Sequence, residues 1–443
     1  MDSYQLLKRS CEEWSTYPSN LLRPDQRRND LENYRLVLDA SERQLFQAST
    51  EGVHIIEPSD SPNGYTEQTI ANPSALRKHL QQNRKDPQSS LIFINSNGPY
   101  TPLNCSRESL TFMCSHYQIP ASFLDFVSSF GHSSEPQDYH MSGFTSYDTI
   151  ENPSSSLLEI QQLGRSGLEQ VVQYMLRSVE RSTEGTGNIK WEIRQMAVHH
   201  KYDFVHRKAL WLNVKTNDIM YKRMKEAMAE DPILNSALSK DMSSPFAATL
   251  RTHLVHLEWC DKSWREYICD TEAEIRKTLK GLKAAQAKKS PVEHGGGWRQ
   301  TKISETDGLQ RPVSRRLTEE IEDLTYLDRF PFRESEKLNS FFERLEKSLL
   351  VIQLNIQTLR DISDHYENLA NRDNLPSELV TRSFFSDLDS FSHRIGRIQK
   401  NLEIRVTQLK SLMSWLRKER ELVGVFFFSV DHCTLLTPTS LPV

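Results

Sequence analysis

Three residues in the second half of the chain, His253, His256 and Cys260, fall at i, i+3 and i+7, and on a helix they share one face. Imidazole nitrogens and a thiolate are what zinc and related transition metals take as ligands, so the trio is a candidate metal site. The same three positions border a stripe formed by Leu250, Leu254 and Leu257, where histidines and thiols pack as partly buried side chains, and no second pair of close ligands accompanies them. Both readings stand on the residues alone. A second group, His199, His200 and His206, could gather at a strand hairpin, but β alternation sends His199 and His200 to opposite faces and weighs against shared ligation.

Signatures of catalysis are weaker. Gly164-Arg165-Ser166-Gly167 approaches a nucleophile elbow without its GxSxG spacing and without a convincing strand before it. His294 to Trp298, HGGGW, has the composition of an oxyanion loop but sits in the most linker-like stretch of the chain. There is no GxxxxGK followed by Ser or Thr to cradle phosphates, no HExxH, and no strand followed by GxGxxG. No catalytic or cofactor-binding residue is assigned, and the chain is expected not to be an enzyme.

These residues sit in a chain of 443, long enough for about two or three domains with a sizeable core. With 26% charged and 37% hydrophobic residues it lies far from a disordered composition. Its 55 basic and 59 acidic residues leave a net charge of -4, no global field for nucleic acid or an anionic membrane, and aromatic residues do not interleave with a basic patch. Nucleic acid is therefore not an expected partner. The six cysteines are scattered with no CxxC pair, which fits reduced thiols in the cytoplasm, and the first thirty residues lack the apolar stretch of a signal peptide. The most apolar run, Leu422 to Val430, is less than half of the about 20 residues a spanning helix needs, so no membrane insertion by this chain is expected.

Periodicity supplies the elements that must position the candidates. VHIIE from Val53 and SLIFINS from Ser90 read as strands, LRKHLQQNRK from Leu76 as a helix, and IPASFLDFVSSFG from Ile119 as a short helix closed by Gly131. The clearest strand signal runs through WEIRQMAVHHKYDFVHRKALWLNVKTND. Met196, Val198, His200, Tyr202 and Phe204 alternate on one face, then Leu210, Leu212 and Val214 after a break, as in an antiparallel hairpin. After Pro232, apolar residues from Leu250 to Leu282 recur every three or four positions, interrupted only near Asp261 and at Thr271 to Glu272, and predict one long amphipathic helix carrying the candidate metal ligands. Two more seams follow. Leu338, Phe342, Leu345, Leu349, Ile352, Ile356 and Leu359 form one, and Phe391, Ile395, Ile398, Leu402, Leu409, Leu412 and Leu416 the other, interrupted at Arg405; the break at Asn374-Leu375-Pro376 between them suggests antiparallel helices. The expected class is α+β, an N-terminal strand-containing α/β domain followed by long antiparallel stalk-like helices, helix-rich overall. The expected organisation is an α/β domain over 1–232, a long amphipathic helix region over 233–283, a flexible linker over 284–316, a coiled-coil-like hairpin over 317–423, and a tail of unrelated character over 424–443.

The hairpin, then WCDKSWREYICDTEAEI from Trp259 to Ile275, then the paired helices, resemble the fungal CorA-like transporter domain from about Leu31 to Val423. The matching positions are Ile193, Arg194, Gln195, Ala197, Val198, Tyr202, Asp203, Leu210 and Trp211 in the hairpin. Trp264, Arg265, Glu266 and Tyr267 match in the helix, with Ser263 where the family has asparagine. What the resemblance implies is a cytosolic α/β domain with stalk helices that precede a membrane pore for divalent cations, with Mg²⁺ as the associated ion. The pore pair of helices and the Gly-Met-Asn motif are missing, so conduction is not carried over, and the tail is expected to mark a truncated product. The expected role is regulation or assembly in a soluble cytosolic domain, partnered by a second copy or a full-length relative through the long helices. The alternative is a stand-alone helical interaction protein with no role in ion transport.

Overall fold

The computed structural model describes residues 2–22, 27–47, 52–59, 64–82, 85–98, 101–131, 143–150, 158–182, 190–236, 245–289, 313–373, 375–376 and 380–434. They divide into two compact units, one of Met1–Trp264 with Leu350–Arg405, the other of Arg265–Leu349 with Val406–Val443.

The first unit is organised by seven strands: β1 (Val53–Pro58), β2 (Tyr65–Ile70), β3 (Ser89–Asn95), β4 (Phe144–Asp148), β5 (Glu169–Ser182), β6 (Lys190–Asp203) and β7 (Lys208–Lys215). They form one mixed sheet in the order β2-β1-β3-β7-β6-β5-β4, with only the β3–β7 pair parallel. The expected hairpin is β6–β7, its register running from Met196↔Lys215 to Asp203↔Lys208. The strand that pairs with β6 over its whole length, β5, escapes the periodicity test. Val171 to Glu180 are all buried, so both faces are covered and alternation between apolar and polar is lost.

One face of the sheet carries α1 (Ser3–Glu12), α2 (Arg28–Leu45), α3 (Pro73–Gln82), α4 (Arg107–Tyr117) and α5 (Phe123–Val127), whose core joins Ile92, Ile94, Leu210, Leu212, Val214 and Ala197 to Leu110, Phe112, Phe123 and Leu38. Ser106 caps α4, its hydroxyl accepting from the Ser109 N–H. Expected as one helix over 119–131, this stretch holds only the five residues of α5, and Gly131 at φ +79° packs on the Gln44 carbonyl where a Cβ would stand at 2.2 Å. The other face carries α6 (Ile219–Glu230), α7 (Pro232–Ser236) and α8 (Pro245–Asp261), with the stretches of two further helices that belong to this unit.

The single long helix expected after Pro232 is a sequence of separate helices. α8 ends at Asp261 and α9 (Trp264–Lys289) begins after two intervening residues, with the Trp264 indole donating back to the Cys260 carbonyl at 2.7 Å. A turn of two residues keeps the apolar stripe nearly in phase, which is why the interruption near Asp261 does not by itself divide the stripe into two helices. Beyond residues 290–312, which lie outside the described ones and with them HGGGW, come α10 (Val313–Ala370) and α11 (Arg382–Thr434). Pairs such as Ser363 with Ser392 and Arg360 with Glu403 show that α10 and α11 run antiparallel. In the second unit α9, α10 and α11 join through Leu279, Leu282, Leu338, Leu345, Leu409 and Leu416, with Tyr267 bonding Ser348 at 2.8 Å and Arg276 over the Trp415 ring at 5.1 Å. The class is α+β, rich in helix.

Candidate functional site

Side chains of even-numbered β6 residues point toward α8, and this brings His200 under His253. The His200 ring stacks on Trp211 of β7 at 3.8 Å between centroids and meets the His253 ring edge-on at 5.1 Å. Nδ1 of His200 donates to the Leu210 carbonyl at 3.2 Å. On the neighbouring strand, the Tyr174 hydroxyl lies 3.0 Å from His253 Nδ1 and 3.3 Å from His256 Nδ1, while His253 Nε2 lies 2.8 Å from the Tyr366 hydroxyl of α10. All these side chains are buried. A neutral imidazole has one donor and one acceptor, so Tyr174–His253–Tyr366 forms a chain with two self-consistent proton arrangements.

Electrostatics keep the cluster neutral. Burial pulls His200 and His256 down to about 3, with the neighbouring histidine and Arg223 respectively adding to the effect, and pulls His253 well below its ordinary value. Burial likewise pushes the Tyr174 and Tyr366 hydroxyls and the Cys260 thiol upward. Thus the three residues singled out by spacing do share one face of α8, but their neighbours differ. His253 and His256 meet at one tyrosine hydroxyl, whereas Cys260 lies by the far end of β5, where its carbonyl accepts from Ser178 and Trp264. Both nitrogens of His253 are within hydrogen-bond distance of hydroxyls, and among the described residues no group of three or more His, Cys, Asp and Glu side chains is arranged to hold a metal ion.

His199 turns to the opposite face, edge-on to Phe123 at 5.5 Å and bonded to Gln173 at 2.9 Å, as alternation requires. His206 sits in the β6–β7 turn, where its N–H donates to Asp203. The Gly164-Arg165-Ser166-Gly167 stretch is a charged turn. Arg165 pairs with Asp86 and donates to the His116 carbonyl at 2.7 Å, and Ser166 donates its hydroxyl proton to Asp203 at 2.8 Å. Burial would raise Asp86, yet the Arg165 guanidinium outweighs it and holds the carboxyl down to about 2. Arg165, Lys201 and Lys208 face Asp86, Glu169 and Asp203 around a cleft of about 40 Å³, three charges of each sign in a space the size of a water or two.

Sequence reasoning missed a second buried polar site. Lys215 at the end of β7, 2% exposed, donates to Glu180 of β5 at 2.8 Å, and the same carboxylate accepts from Trp259 Nε1 at 2.7 Å and Asn217 Nδ2 at 2.6 Å. Lys215 also lies 4.8 Å from the Trp259 ring centroid. Burial lowers Lys215 to about 8, with Glu180 pulling the other way. The only sequence signal was Lys215 continuing the buried alternation of Trp211 and Asn213.

The first unit is thus a sheet covered by helices on both faces, with its histidine–tyrosine and lysine–glutamate clusters buried between sheet and helices. The chain belongs to the CorA-like family: a family model described as CorA-like transporters matches residues 9–283, well over half of its length. Among solved structures, the ZntB cytoplasmic domain from Vibrio parahaemolyticus RIMD 2210633 is similar at 10% identity and a TM-score of 0.36, covering 84% of this chain and 99% of that one. The CorA magnesium transporter from Methanocaldococcus jannaschii is similar at 9% identity and a TM-score of 0.35, covering 89% of each chain. No curated protein matches the sequence. Among the described residues no helix is long and apolar enough to cross a membrane.

Proposed function

We propose that this chain serves divalent-cation transport as a regulatory or assembly component on the cytoplasmic side, without forming the pore itself. The observation that carries the reading is membership of the CorA-like transporter family over residues 9–283. Supporting it, the His200–His253–His256 and Lys215–Glu180 clusters of the first unit are buried under helices, as suits a scaffold better than a reaction centre. The long helices α9, α10 and α11 are the surfaces through which a second copy or a full-length relative would join.

Titration of the purified full chain with MgCl₂, against NaCl at matched ionic strength, tests the reading through thermal unfolding and mass by light scattering. A Mg²⁺-specific rise in Tm or change in mass is the expected result. No response in either, in both salts alike, removes the regulatory role. A second reading, a helical interaction protein unconnected with transport, draws on Phe385 and Ile404 of α11, 43% and 53% exposed. It predicts indifference to Mg²⁺ together with saturable binding of an added amphipathic helix.

A further inference from the structure

The outer edge of β5 has more backbone to satisfy than β4 can reach. Odd-numbered residues of β5 turn their N–H and C=O groups outward, where the Glu169 carbonyl accepts from Thr149 N–H at 3.0 Å and Met175 N–H donates to the Gly143 carbonyl at 3.1 Å. Pairing with β4 covers only Gln170 to Tyr174. The next outward residue is Arg177, and it is buried. Its N–H donates to Asn355 Oδ1 at 3.1 Å and its carbonyl accepts from Asn355 Nδ2 at 2.6 Å. A carboxamide carries the same donor and acceptor as a peptide group, so Asn355 stands in for one residue of the neighbouring strand that β4 does not supply.

Two more polar contacts tie the same helix to the same region. Tyr366, about three turns beyond Asn355 and hence on the same face, meets His253, and His365 Nε2 lies 3.3 Å from Gln170 Oε1. Apolar residues alone would let α10 slide by a turn of about 5.4 Å and exchange one side chain for the next. The polar contacts forbid it. A slip of one turn brings Val351 or Leu359 to the Arg177 peptide and Ile362 or Ala370 to His253, none of which can bond there.

We propose that Asn355, acting as a peptide mimic on the open edge of β5, together with Tyr366 and His365, is a register lock that makes this stretch of α10 and the sheet move as one body. The lock sets both the axial position and the rotation of the part of α10 that belongs to the first unit, from Leu350 on. It goes beyond the proposed function, since it holds whether the long helices serve transport or another partner.

Hydrogen exchange read by mass spectrometry on the full chain tests it, with Asn355→Ala, Tyr366→Phe and the double variant. In Asn355→Ala the Arg177 amide is expected to exchange about 10- to 100-fold faster while Leu91 to Ile94 of β3 stay protected. In the double variant the acceleration exceeds the product of the two single factors, because contacts that fix one register act together. An unchanged Arg177 amide, an equal acceleration across β3, or a double variant equal to the product of the singles overturns the lock. Should Asn355→Ala fail to fold, Asn355→Asp retains the acceptor for Arg177 N–H and loses the donor to its carbonyl, and the same three comparisons apply.

Discussion

Lowering the pH from 7 to 5 should unfold this protein, well before its carboxylates titrate. Four histidines, three buried and His365 part-buried, are held well below their ordinary value by their surroundings: burial brings His200, His256 and His116 to about 3, and burial aided by Arg372 brings His365 to about 4. In the unfolded chain each returns to about 6.5. The unfolded state therefore binds more protons between those limits, so stability is greatest above about pH 6.5, falls as pH drops, and stops falling only near the folded values. At pH 5 each group costs about 2 kcal/mol, and the four together about 8 kcal/mol, comparable to the whole stability of a typical domain. His253 and His199, lowered well below their ordinary value by burial, act in the same direction. Asp86, held down to about 2, keeps its contribution throughout this window. Urea unfolding followed by circular dichroism at pH 7.5, 6.5, 6.0 and 5.5 measures the slope. His200→Phe, which keeps a ring on Trp211, should remove about one proton from it, or about 1.4 kcal/mol per pH unit. A urea midpoint that stays level from pH 7.5 to 5.5 would refute the neutral, buried state of these imidazoles.

Other perturbations have equally definite outcomes. Lys215→Met strands the Glu180 carboxylate, 9% exposed, and should cost about 3 to 5 kcal/mol in urea unfolding, whereas adding Glu180→Gln should restore part of that loss because the buried charge is gone and Trp259 can still donate to the amide oxygen. Trp211→Ala removes the ring stacked on His200 and should lower stability by about 3 to 5 kcal/mol without changing the far-ultraviolet spectrum of the folded state. Gly131→Ala puts a Cβ against the Gln44 carbonyl at a φ of +79° and should cost at least about 1 to 3 kcal/mol, read as a drop in Tm; a neutral result would mean that the α2–α5 contact yields easily.

What local pattern alone determined is the kind of the strongly periodic elements and the face each buries. The β6–β7 hairpin was legible because alternation from Met196 to Phe204 and from Leu210 to Val214 depends only on the two-residue period of a strand. The seams on α10 and α11 were legible for the same reason at helical spacing, and Ile395, Leu402, Leu409 and Leu416 are all buried. Which element covers which face is a different kind of information. β5 was invisible because helices on both sides erase alternation, and the turn at residues 262–263 showed only as an interruption near Asp261, too slight to separate two helices from one. His253 and His256 could be placed on one helical face from spacing, but not against Tyr174 and Tyr366, which lie 79 and 113 residues from His253 along the chain. Nor could Asn355 be matched with the Arg177 peptide across 178 residues. Periodicity is a property of neighbours along the chain, whereas these polar partnerships arise only when the sheet order and the return of the long helices bring distant residues together, and that is decided by tertiary packing.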